Sequence, residues 1–144
     1  MAGCQPAPST SSGSAGAEKP LQFNQSVATV LPLQRGYYVV SDTPCAKASN
    51  ATLLLLQRHG VGGARDFCGF KQIDQTGPET YQVHEACADF QGSEPQSRTV
   101  HYRLVGNDRF VVSGHNGAVL DARHCPQADL PAAWRNTDIR AEVE

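Results

Sequence analysis

From Arg35 onward, apolar and polar side chains alternate in short runs divided by Gly, Pro, Asn and Asp, the pattern of antiparallel strands with one face buried. Residues 36–41 read Gly-Tyr-Tyr-Val-Val-Ser and predict a first strand. Residues 52–58 predict a second, whose unbroken Leu53-Leu54-Leu55-Leu56 run fits a buried strand. A glycine-rich loop, His59-Gly60-Val61-Gly62-Gly63-Ala64, follows it. Residues 67–74 and 80–87 flank Gln75-Thr76-Gly77-Pro78-Glu79, a strong hairpin signal. In the later arm Tyr81, Val83 and Cys87 share one face, while Gln82 and His84 take the other. Val100, Tyr102 and Leu104 alternate with His101 and Arg103 in the same way. Gly106-Asn107-Asp108 turns the chain into a strand over 109–113 with Phe110 and Val112 inward. Asn116-Gly117 suits a two-residue type I′ turn into a strand over 119–123. Pro131 sets up a short helix through Trp134 to Asn136.

The expected class is all-β: about seven strands in up-and-down order, closing as a small antiparallel barrel or curved sheet that protects its edges. The segment over 21–33 is mixed in pattern, with Pro32 ending any helix late in it. Before it, residues 5–19 contain no large apolar side chain and predict a flexible tether. The chain thus divides into a tether over 1–20 and one β domain over 21–144.

Charge narrows the range of partners. The 144 residues carry 12 basic and 14 acidic side chains, a net charge of −2, with no basic run, so nucleic acid is a poor fit. No stretch approaches the ~20 apolar residues of a transmembrane helix.

Five cysteines divide into a lone Cys4 and four internal residues, an even set that pairs in an oxidising compartment. Cys45, Cys68, Cys87 and Cys125 allow three pairings. The hairpin centred near Gly77 sets Cys68 opposite Cys87, which favours Cys68–Cys87 with Cys45–Cys125 tying the early loop to the C-terminal segment. Free thiols and a zinc site are the competing readings, but no Cys-x-x-Cys pair is present.

Catalytic and metal signatures are weak. The five histidines form neither His-x-x-x-His nor His-Glu-x-x-His, so no metal site and no cofactor are expected. Ser113, Asp121 and His124 invite a hydrolase triad, yet no Gly-x-Ser-x-Gly elbow surrounds Ser113. No catalytic residue is assigned, and the expectation is a protein that is not an enzyme. What remains is surface: loops over 59–65, 92–96 and 113–117 that a stapled scaffold would hold rigid. His59, Arg65, Ser113, His115 and Asn116 are the candidate partner-binding residues, able to hydrogen-bond into a protein partner's cleft at low ordering cost.

The start Ala2-Gly3-Cys4 resembles the lipobox of bacterial envelope lipoproteins, although Met1 stands where that motif usually carries Leu. The resemblance implies lipidation of Cys4 after removal of a signal peptide. Gln5 looks like the pattern that sorts such proteins to the outer membrane, facing the periplasm. Size, short strands, disulfides and anchor together resemble the periplasmic lysozyme inhibitor lipoproteins and the lipoprotein immunity proteins. Those families plug a cell-wall hydrolase with protruding loops. Ser113-Gly114 matches the Ser-Gly of one such loop, but His115-Asn116-Gly117 follows without the expected aromatic. The expected partner is a peptidoglycan hydrolase; the alternative is an accessory lipoprotein docked on an envelope complex or secretion machine.

Overall fold

The computed structural model describes residues 26–28, 30–114 and 116–144. Cys4, the tether over 1–20 and His115 lie outside the described residues. Nine strands follow in order: β1 Ser26–Ala28, β2 Gly36–Val40, β3 Leu53–Gln57, β4 Gly60–Gly62, β5 Asp66–Gln75, β6 Thr80–Asp89, β7 Gln96–Leu104, β8 Arg109–Gly114 and β9 Val119–His124. From β2 onward each strand pairs antiparallel with the next, and β9 returns to β2, closing an eight-stranded up-and-down barrel. The expectation of about seven strands holds in architecture and falls short in number. The missing members are β1 and β4. Gly60–Gly62, expected to be loop, is a strand paired to Leu55–Gln57 on one side and Phe67–Gly69 on the other. Glycine is required there, because a Cβ at Gly60 would collide with the Phe67 ring and the Cys68 carbonyl oxygen. Along the same flank of β5, β4 covers the first half and β1 covers Ile73–Gln75, so no long edge is left open.

Inward positions form one core. Tyr38, Leu56, Ile73, Val83, Val100, Tyr102 and Phe110 are all buried inside the barrel. Their rings form a chain: Tyr38 lies 5.0 Å from Phe110, and Phe110 lies 5.3 Å from Tyr102, both tilted.

A second, smaller apolar cluster sits outside the wall. Tyr37, Val39 and Leu53 point outward yet are buried, because Cys45, Cys125, Leu130, Trp134 and Ile139 cover them. This explains the unbroken apolar runs in β2 and β3: both faces of these strands are shielded from water. Most of the cover comes from the segment after β9, which includes α1 (Ala132–Arg135), close to the expected short helix, and α2 (Arg140–Val143), which the sequence pattern did not predict. The Cys45–Cys125 disulfide pins it down. Arg123 reinforces the same place, donating through Nη2 to the Thr43 carbonyl at 2.6 Å and through Nε to the Ser41 carbonyl at 3.2 Å.

The barrel's two ends differ. Where β2 begins, Leu31 and Leu33 are buried as a plug. The Gln34 amide donates to the Asn107 carbonyl at 2.6 Å, and the Tyr38 hydroxyl donates to the Gln34 carbonyl at 2.6 Å. The other end, where β2 and β8 finish, carries the connections 41–52, 63–65, 90–95 and 115–118. The last of these spans four positions rather than the two expected of Asn116-Gly117, and Gly117 takes the left-handed φ of +84°.

Candidate functional site at the open end of the barrel

Cys68 and Cys87 face each other in register on β5 and β6 and are disulfide-bonded, the pairing the hairpin favoured. Both lie in the inward phase of their strands, so the bridge is part of the barrel wall at its open end. Two residues along β6, in the same phase, stands Glu85, whose side chain is 2% exposed. Arg98 lies opposite it on β7 and donates through Nε to Glu85 Oε2 at 2.7 Å. Arg98 Nη2 also rests 3.6 Å from Cys68 Sγ. Glu85 Oε2 lies 3.6 Å from Cys87 Sγ, a contact without a hydrogen bond, since a half-cystine carries no proton. Cys68, Cys87 and Glu85 are close enough to share a cation, but with both sulfurs in the disulfide there is no thiolate to bind one.

Beyond this ion pair the inward residues stop being fully covered. Leu54, Val61, Val112 and Leu120 are half-buried and line a cavity of about 140 Å³, with Tyr102 and Phe110 also in its lining. Burial pushes the Tyr102 hydroxyl's pKa up, and the neighbouring Glu85 charge adds to the effect. The connections around the open end also expose apolar side chains. Phe90 is 66% exposed at the end of β6 and Val119 is 67% exposed at the start of β9. The Phe90 amide donates to the Arg65 carbonyl at 3.0 Å, tying two of the loops together.

The five sequence-derived candidates separate. Arg65, Ser113 and Asn116 belong to the open end, Arg65 and Asn116 exposed and Ser113 half-buried. His59 does not join them: it sits in the β3–β4 turn at the sealed end, and β4 carries the chain from there across the barrel to Arg65. The loop over 59–65 is therefore no single patch. Ser113, Asp121 and His124 form no triad either. Asp121 faces out and accepts two hydrogen bonds from Arg109, at 2.8 and 3.0 Å, and one from Ser41. These bonds hold its carboxyl down to about 2. His124 faces in, its ring edge-on to Tyr38 at 5.4 Å.

Sequence reasoning missed Glu85, Arg98, Phe90 and Val119. The signal for the first two was present: Glu85 falls between Val83 and Cys87 on the inward face, and Arg98 is in phase with Val100 and Tyr102.

No protein-family model, curated protein or solved structure matches this chain.

Proposed function

We propose that this protein is a non-enzymatic, lipid-anchored periplasmic binding protein that engages a protein partner through the rim of its open end, as an inhibitor or immunity protein does against a cell-wall hydrolase. The observation that carries this reading is the rim itself: exposed Phe90 and Val119 stand among the connections bearing Arg65 and Asn116, on a barrel stapled just beneath them. Aromatic and arginine side chains surrounded by polar loops are the usual anchors of protein interfaces. A closed barrel with two disulfides presents them with little ordering cost on binding. Two disulfides also fit an oxidising compartment, as the lipobox-like Cys4 requires.

The test is a pull-down with lysozyme and secreted muramidases, followed by inhibition of peptidoglycan hydrolysis. Association is expected with at least one hydrolase, weakened at least about tenfold by Phe90→Ala. Absence of any association at micromolar protein removes the inhibitor version.

A second reading, an accessory lipoprotein of an envelope complex, is favoured by a groove on the outer wall. Tyr37, Leu53, Leu55, Gly63 and Trp134 line it, with a volume of about 180 Å³. Co-purification of a complex from detergent-solubilised membranes, abolished by Trp134→Ala and not by Phe90→Ala, selects that reading.

A further inference from the structure

Eight strands enclose an interior that side chains just fill, or that holds one small ligand. Here the filling stops short of the open end, and the uncovered space contains polar groups that no described residue partners. Glu85 is buried, and Arg98 Nε satisfies only its Oε2. No described residue donates to Oε1. The Arg98 side chain is half exposed to water, with no acceptor for its Nη1 among the described residues, and the Tyr102 hydroxyl, buried in the same lining, has none among them either. A buried carboxylate oxygen left unpaired bears its full desolvation cost. A group that supplies the missing hydrogen bond recovers it.

We propose that the open end of the barrel is a binding site for a small, neutral molecule with a ring-sized apolar body and a carboxamide-like head. Size sets the body. The cavity is about 140 Å³, and an apolar cavity of ~150 Å³ takes up benzene. Its walls are Leu54, Val61, Val112 and Leu120. Charge sets the head. Glu85 and Arg98 cancel each other in the buried part of the lining, and the third charge there, Asp66, is exposed to water, so a carboxylate meets the Glu85 charge and an ammonium meets the Arg98 charge. A head with N–H and C=O side by side satisfies both, its N–H donating to Glu85 Oε1 and its C=O accepting from Arg98 Nη1. A shallower hollow of about 220 Å³, lined by Arg98, Val112, Asn116, Val119 and Leu120, adjoins the cavity and gives the molecule a way in. The site does not depend on the protein-partner reading, because its probe is a free small molecule.

The experiment is an amide chemical-shift titration of the oxidised protein with three probes of matched size: benzamide, benzoate and benzylamine. Benzamide is expected to shift the Glu85, Arg98, Tyr102, Val112 and Leu120 resonances saturably, with a millimolar dissociation constant, and the two charged probes to bind about tenfold more weakly. Glu85→Gln leaves Arg98 without its counter-charge and is expected to reverse the order, making benzoate the preferred probe. Leu120→Trp fills the mouth and is expected to abolish saturation while the spectrum stays dispersed. Equal affinity for all three probes overturns the proposal. So do shifts that stay linear, shifts confined to the Trp134 groove, or an unchanged order in Glu85→Gln.

Discussion

The sealed end and the open end of this barrel are built from the same strands, yet they use their inward residues differently. At the sealed end Leu31 and Leu33 fold into the lumen, and a carbonyl–amide clasp from Gln34 to Asn107 holds them there. Every apolar group placed there removes water-accessible area and contributes to stability. At the open end Leu54, Val112 and Leu120 keep part of their surface in water. A disulfide and an ion pair, rather than packing, hold the wall together there. The difference teaches that one end is filled to hold the fold and the other is left partly uncovered.

The largest expected effect breaks or sustains that contrast directly. Leu33→Ala should lower unfolding stability by about 2–5 kcal/mol in urea titration, as for a fully buried leucine, whereas Leu120→Ala should cost about half as much or less. Equal losses would erase the distinction between the ends. Replacing both Cys68 and Cys87 by Ala comes next. Their 19-residue separation predicts a loss of roughly 3 kcal/mol in the chain-entropy model, measured as a shift of the urea midpoint. A much smaller loss would mean that packing alone secures the mouth.

Acid sharpens the comparison further. Burial against Tyr38 lowers the pKa of His124, near the sealed end, with the Arg35 carbonyl and Asp108 partly opposing the shift. The unfolded chain then takes up a proton first, so stability should fall as pH drops through the unfolded imidazole value, ~6.5, and level off once the folded His124 is also protonated. Comparing urea midpoints of the native protein and His124→Gln across that range checks the sign, since the variant should lose the slope. The smallest stability effect belongs to the rim: Phe90→Ala should stay within about 0.5 kcal/mol of the native protein, because the ring is mostly in water already.

Short runs between turn residues, most of them alternating with period two, carry most of the fold, which is why seven of the nine strands and the Cys68–Cys87 pairing were legible in the sequence. Gly60–Gly62 was not, since three residues with two glycines have no alternation to read, and the strand exists only because β3 and β5 template it. The same strand explains the misplacement of His59: residues six apart look adjacent in a loop and lie at opposite ends of a barrel when the chain between them is extended. Glu85 and Arg98 were hidden for another reason. A charge in the inward phase is ordinarily read as solvent-exposed, and only pairing across β6 and β7 makes it tolerable inside. The exposed Phe90 and Val119 carry no pattern at all, because exposure of a single apolar residue depends on how loops fall in three dimensions.

The short β1 strand determines more than an edge. Ser26 is registered with Gln75, beside the hairpin at the sealed end, so this strand starts at the end of the barrel opposite the aperture. A molecule entering the mouth therefore does so at the far end of the barrel from Ser26.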